Sequence, residues 1–168
     1  MGIIGGMSAA AAQVMSKLWH RLAGRQQWWL LWLTQAKFMV GVTGVVFDDR
    51  AWVLLLRHRF WPEGSWGLPG GYAHGREVLA AALARELREE TGYRIEEVKL
   101  LQVVSGYRLR LEVAFTARLA GGSFERDERE VLEARFVDPD ALPEGVLAGH
   151  RALIRQACAE RRTEGPSH

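Results

Sequence analysis

Apolar residues recur along this chain with more than one period, and the changes of period mark its elements. Between residues 14 and 23, Met15, Leu18, Trp19 and Leu22 share one arc of a helix, and Lys17, Arg21 and Arg25 occupy the neighbouring arc. Six apolar residues then follow in succession, Trp28-Trp29-Leu30-Leu31-Trp32-Leu33. Residues 1–13, rich in Gly, Ala and Ser, carry no such arc and are expected to fray. At Phe38 the pattern changes to runs rich in Val, Thr and Phe. Residues 38–47 predict a strand, Asp48-Asp49-Arg50 a turn, and residues 52–57 a second strand paired antiparallel with the first. Residues 61–75 hold two prolines and five glycines and predict a loop. A helical pattern over residues 77–91 ends at Gly92, in the position of a C-terminal cap. Residues 98–105, 108–118 and 131–137 predict three more strands, the last two separated by a loop over 120–130 that carries six charges. Pro139 and Pro143 bracket a short turn before a final helix over 146–161.

Strands, a helix, further strands and a second helix predict an α/β or α+β fold. The expected organisation is a helical extension over 1–37, one domain over 38–162, and a flexible tail over 163–168. A length of 168 residues suits one ordinary domain with an extension, and 48% hydrophobic with 25% charged residues is globular composition. Charge changes this picture in one respect. Residues 1–37 contain Lys17, Arg21, Arg25 and Lys37 with no Asp or Glu, whereas the remainder carries 18 basic and 20 acidic residues. The sequence pI near 9.0 is therefore a property of the extension, and gives no reason to expect a specific nucleic-acid partner. Four of the seven tryptophans also lie in this extension. Three readings of it stay open: a helix that packs on the domain or on a second subunit in a homodimer, a peripheral membrane contact through residues 14–36, or a targeting segment. No run of about 18 apolar residues predicts a membrane-spanning helix. The single cysteine, Cys158, excludes an intramolecular disulfide and a cysteine-rich zinc site, and suits a reducing, cytoplasmic setting.

The candidate chemistry lies on the helix over 77–91. On a wheel, Leu79, Ala80, Leu83, Ala84 and Leu87 form an apolar stripe, and Ala81, Arg85 and Arg88 fall on the far side. Glu86, Glu89 and Glu90, spaced i, i+3 and i+4, project as one cluster that borders the stripe. Like charges at these spacings cost a helix about 0.2–0.5 kcal/mol per pair. Two of them stand near the helix C-terminus, where the macrodipole opposes negative charge. A cation relieves this conflict. Arg85 and Arg88 are candidates, and a hard divalent ion such as Mg²⁺ is the better match to clustered carboxylates. An ordinary Glu/Arg-rich surface is the competing reading of the wheel alone.

The surrounding residues resemble the Nudix box: Gly71, Glu77, Arg85-Glu86-Leu87, Glu89-Glu90 and Gly92 stand at its eight fixed positions, followed by Tyr93 where the family has an aliphatic residue. The preceding Leu68-Pro69-Gly70-Gly71 is also similar to the family, and the resemblance spans roughly residues 38–161. It implies an α/β/α sandwich with a mixed sheet, and a metal-dependent hydrolase acting on a nucleoside diphosphate linked to another moiety. By the same resemblance, Glu86, Glu89 and Glu90 bind Mg²⁺, with Mn²⁺ able to substitute. Gly70 adds a backbone carbonyl, Arg85 orients Glu86, and Glu130 is the loop glutamate that completes the base function. Catalytic roles then fall to Arg85, Glu89, Glu90 and Glu130. Glu77, at the expected helix start, reads equally as a structural anchor or a catalytic group.

The family pattern also frames further departures. His74 stands where many members have a carboxylate, and Arg76 stands where they have a glycine, with Gly75 one place earlier. The proline of many ADP-ribose hydrolases is absent, with Arg108 near its place, and Tyr107 lies beside the tyrosine position of dinucleoside polyphosphate hydrolases. Arg57, His58, Arg59 and Trp61 precede the box, and Arg57, Arg59 and Trp61 are the expected contacts to a small-molecule nucleotide substrate. Two other classes compete. A regulatory module that binds nucleotide without turnover needs no intact acidic cluster. A diphosphate isomerase of the same fold needs a cysteine in the site, and Cys158 is expected on the last helix.

Overall fold

The computed structural model describes residues 8–34, 37–105, 109–125 and 129–164. It divides into two compact units, Met1–Lys37 and Phe38–His168.

The first unit consists of α1 (Ala9–Arg21) and α2 (Gly24–Thr34). Helix α1 begins five residues before the amphipathic pattern does, because Ala9–Ala12 need no stripe: alanine is the strongest helix former. The run 28–33 is helical as well. Its apolar residues face all directions, so no periodic face announces it, and none of its residues is buried. Polar bonds tie the elbow: Trp19 O accepts from Leu22 N–H and from Gln27 Nε2, and Gln26 Oε1 accepts from Ala23 N–H.

The second unit holds a six-stranded mixed sheet. Its strands are β1 (Met39–Phe47), β2 (Val53–His58), β3 (Gly70–Tyr72), β4 (Arg94–Ser105), β5 (Arg110–Gly121) and β6 (Val131–Val137), with helices α3 (Leu79–Thr91) and α4 (Ala148–Glu164). The strand order is β4-β5-β1-β2-β6, with β3 also paired to β1. Only β1 and β5 run parallel; the other pairs are antiparallel, including the expected β1–β2 pair. The strand period of two sends alternate residues to opposite cores. Val45, Phe47, Val53 and Leu55 pack with Ile154 and Ala157 of α4. Val46, Leu54 and Leu56 pack with Leu87 of α3, and Val42 with Ala82 and Leu83. Helices on both faces explain why Val53-Leu54-Leu55-Leu56 is apolar without alternation. This is the α/β/α sandwich that the family resemblance implies.

Several boundaries differ from expectation. Short β3 lies inside the segment read as a loop, where Gly71 and Tyr72 pair with Val42 and Gly41. Strand β4 starts four residues early, at Arg94. Helix α4 runs to Glu164, into the segment read as a flexible tail. Helix α3 starts at Leu79 rather than Glu77, with Val78 extended at its N-cap and offering no side-chain cap. Its end matches expectation: Gly92 takes the left-handed φ of 74° and its N–H bonds Arg88 O.

Candidate active site

The site begins where β3 brings two glycines against β1. A Cβ on Gly70 would run into the Val42 carbonyl oxygen, and one on Gly71 would meet the Glu86 carboxylate. Gly70 therefore requires glycine against the β1 backbone, and a side chain at Gly71 would displace the Glu86 carboxylate. The approach sets the β3 backbone directly beside α3. On α3, Gly44 of β1 leaves room for Leu83, so the helix seats closely on the sheet and aims its next turns at the same edge. The three glutamates consequently differ in setting. Glu90 is buried, at 8% exposure. The Glu86 side chain is 19% exposed and the Glu89 side chain 57%.

Arg85 does not lie on the far side that the wheel assigns it. Its guanidinium folds back over the box and is only 20% exposed. Nε donates to Glu77 Oε1 at 2.9 Å and Nη2 to Glu77 Oε2 at 3.0 Å, a bidentate pair. Nη1 donates to Glu86 Oε1 at 2.9 Å and to Glu89 Oε2 at 3.2 Å, and Nη2 also reaches Tyr72 O. One cation thus ties three carboxylates and the β3 backbone. Glu77 is the principal partner, held as an ion-pair anchor beside the start of the helix. The Arg85 hydrogen bonds, followed by the His74 N–H, hold the Glu77 carboxyl down at about 2. The same carboxylates, Glu77 first, push Arg85 further above its usual range.

The cluster opens on a cleft of about 660 Å³ whose lining includes Gly70, Glu86, Glu90 and Glu130. Glu130 closes the charged loop just before β6. Its backbone is fixed because Glu130 O accepts from Arg59 N–H at 2.7 Å. Its carboxylate lies 3.5 Å from His58 Nε2. Donor atoms of His58, Glu90 and Glu130 all fall within 4.8 Å of one another. Carboxylates from α3 and from the loop, with one imidazole, form a donor set suited to a divalent cation, and the hard oxygens fit Mg²⁺ or Mn²⁺. Glu89 does not line the cleft; it stands outside it, paired with Arg85.

The three expected substrate contacts separate. Trp61 lines the cleft. Arg57 and Arg59 do not: Arg57 pairs with Glu133 across the β2–β6 ladder and lies over Trp66, and Arg59 Nε binds Arg129 O. Of the other loop carboxylates, Glu133 serves that ladder, while Asp127 and Glu128 lie outside the described residues, as do Tyr107 and Arg108. Cys158 packs against the α4-side core, and does not line the cleft, which leaves the isomerase reading without its nucleophile.

Sequence reasoning missed His150 and Arg110, which also line the cleft. No motif marks either one, since α4 and β5 reach the site only through tertiary packing. His150 Nδ1 accepts from Leu68 N–H at 2.9 Å, which leaves the ring proton on Nε2. Burial, with Arg110 adding repulsion, lowers its pKa to about 4, so the imidazole stays neutral near neutral pH. Trp61 meets His58 at 5.3 Å between ring centroids and His150 edge-on at 5.9 Å. A side chain at Gly67 would strike both Trp61 and His150. Arg110 lies over the Tyr72 ring and pairs with Glu112. The cleft therefore has an acidic end at Glu86, Glu90 and Glu130, and an end lined by Trp61, neutral His150 and the Arg110 cation. Tyr93, the departure at the end of the box, packs between Phe124 and Phe136 and fills its apolar position.

The chain matches the NUDIX domain over residues 37–157. It is 37% identical over 113 residues to a CMP-5'-(N-acetyl-N-hydroxy-3-aminopropyl)phosphonate hydrolase of Streptomyces rubellomurinus, over 62% of this chain and 54% of that protein. It is 31% identical over 122 residues to an ADP-ribose pyrophosphatase of Methanocaldococcus jannaschii, over 69% of this chain and 70% of that protein. This chain thus spans about half the length of the first relative and more of the second. Among solved structures, it superposes on a NUDIX hydrolase from Nitrosomonas europaea with a TM-score of 0.68 and 25% identity, covering 79% of this chain and 77% of that one.

Proposed function

This chain belongs to the NUDIX domain family, and on that premise we propose that it is a metal-dependent hydrolase that cleaves a diphosphate bond in a nucleoside diphosphate linked to another moiety. The substrate class is a nucleotide sugar, an ADP-ribose-like compound or a nucleoside triphosphate. The observation that carries this reading is the convergence of Glu86, Glu90 and Glu130 with Gly70 on one cleft. The relatives acting on a CMP-linked phosphonate and on ADP-ribose support the diphosphate chemistry without selecting a leaving group.

Glu86 and Glu90, with the Gly70 carbonyl, would hold Mg²⁺ or Mn²⁺. A divalent ion bound there supplies Lewis acidity and neutralises diphosphate charge. The chain's own residues do the rest. Arg85 fixes the Glu86 carboxylate through a 2.9 Å bond, so the acidic end is oriented before substrate arrives. Glu130 approaches from the loop opposite α3 and accepts the proton of the attacking water. Its backbone bond from Arg59 and its neighbour His58 set the carboxylate position. Trp61 offers an aromatic face to the nucleoside, and His150 Nε2–H offers a donor that stays neutral.

The test is a panel of nucleoside diphosphate derivatives with products identified by mass. Activity disappears with excess chelator and returns with Mg²⁺ or Mn²⁺. Glu90→Gln abolishes it, and Glu130→Gln lowers kcat by about 10²–10⁴ with a smaller change in KM. Full turnover in chelator overturns the metal-dependent reading. A parental rate in Glu130→Gln removes Glu130 from the role of base.

A further inference from the structure

The N-terminal unit carries an unusual combination of features that the hydrolase site does not use. Its two helices are 13 and 11 residues long. Helices of this length are marginal in water unless an apolar face is buried. Yet Val14, Met15, Leu18, Trp19 and every residue from Trp28 to Leu33 are exposed, with Trp28 at 64% and Leu33 at 56%. The elbow is held by the polar bonds of Gln26, Gln27 and Trp19, not by an apolar core. The unit leaves these large apolar side chains exposed.

Charge selects the occupant. Lys17 and Arg21 flank the apolar arc of α1, Arg25 opens α2, and Lys37 lies 4.4 Å over the Trp32 ring. No Asp or Glu occurs in residues 1–37. Two copies of such a surface repel one another, whereas an anionic lipid surface complements both the cations and the apolar residues between them. Tryptophan is the side chain favoured at the boundary between headgroup and acyl chain, and four are here. Neither described helix of this unit has the length to span. Eleven helical residues extend about 16 Å, against a hydrocarbon thickness of about 30 Å. No helix among the described residues is long and apolar enough to cross a membrane.

We propose that α1 and α2 form a docking unit that lies in the interfacial plane of an anionic membrane, with Trp19, Trp28, Trp29 and Trp32 inserted at headgroup depth and Lys17, Arg21 and Arg25 on the lipid phosphates. This is a peripheral contact, and it tethers the second unit to the membrane surface. The proposal is independent of the reaction assigned to that cleft.

The test uses the full chain with vesicles of phosphatidylcholine alone and of phosphatidylcholine with phosphatidylglycerol. Co-sedimentation with the anionic vesicles is expected, accompanied by a blue shift of tryptophan emission. Binding to neutral vesicles is expected to be at least about tenfold weaker. A Lys17→Gln, Arg21→Gln, Arg25→Gln triple variant should lose the anionic preference. A Trp28→Ser, Trp29→Ser, Trp32→Ser triple variant should lose vesicle binding altogether while keeping the far-ultraviolet signal and hydrolytic rate of the parent. Absence of vesicle binding by the parent overturns the proposal, whether the protein then sizes as a monomer or as a dimer that the tryptophan variant dissociates. Undiminished binding by the tryptophan variant overturns it as well.

Discussion

Helices α2 and α3 are nearly the same length, yet the more apolar of the two buries nothing. Helix α2 has six consecutive apolar residues and no buried side chain; α3 carries three glutamates and two arginines and buries Ala82, Leu83, Leu87, Glu90 and Thr91. Arrangement separates them. The apolar residues of α3 recur at helical spacing, so they meet one sheet face and leave the rest of the surface for charge. Those of α2 point all round, so no single protein face can cover them, and the unit lacks acids that would keep it from an anionic surface. Hydrophobic content decides how much surface seeks cover; periodicity decides whether this chain's own fold provides it.

That contrast has a direct test, which also carries the largest expected effect. Leu83→Ala removes a fully buried side chain packed beneath Gly44, and should destabilise the second unit by about 2–5 kcal/mol in urea unfolding. Leu31→Ala in α2, already 46% exposed, should change stability by less than about 0.5 kcal/mol. Equal losses at the two positions would mean that α2 is buried in solution.

A second test sharpens the difference between the two ends of the cleft. His150 has a folded pKa of about 4 against an ordinary 6.5. Between those values the unfolded chain binds the proton more readily, so this group's contribution to stability is complete above pH 6.5 and is lost as pH falls toward 4. From about pH 7.5 to about pH 5 the loss amounts to about 2 kcal/mol. His150→Gln should flatten that part of the curve, read as the parent-minus-variant difference in urea midpoints. A parallel pair of curves would show that His150 is solvated.

The smallest expected effect concerns the loop before α3. Arg76 occupies a left-handed φ of 68°, which costs a side-chain-bearing residue about 1 kcal/mol. This is the position where the family pattern has glycine and this chain has Gly75 one place earlier. Arg76→Gly should stabilise the protein by roughly 0.5–1 kcal/mol in thermal unfolding, without altering the Glu77–Arg85 pair. A loss of stability would show that the Arg76 side chain makes up for its backbone.

The sequence by itself determined five of the six strands and both helices of the second unit, the box, the Glu86–Glu89–Glu90 cluster and the Gly92 cap, because each depends on spacing within a few turns of one element. It also located the charge asymmetry of residues 1–37. Tertiary structure alone decided what depends on contacts far apart in sequence. It buried Glu90 while leaving Glu89 outside the cleft, and turned Arg85 inward to three carboxylates. It engaged Arg57 and Arg59 with the strand ladder and the loop, and delivered His150 and Arg110 from α4 and β5 to the cleft. A helical wheel gives the direction in which a side chain leaves its helix, but not the neighbour that meets it. Here β3 supplies that neighbour: Gly71 lets its backbone close against Glu86, and the Tyr72 carbonyl meets Arg85.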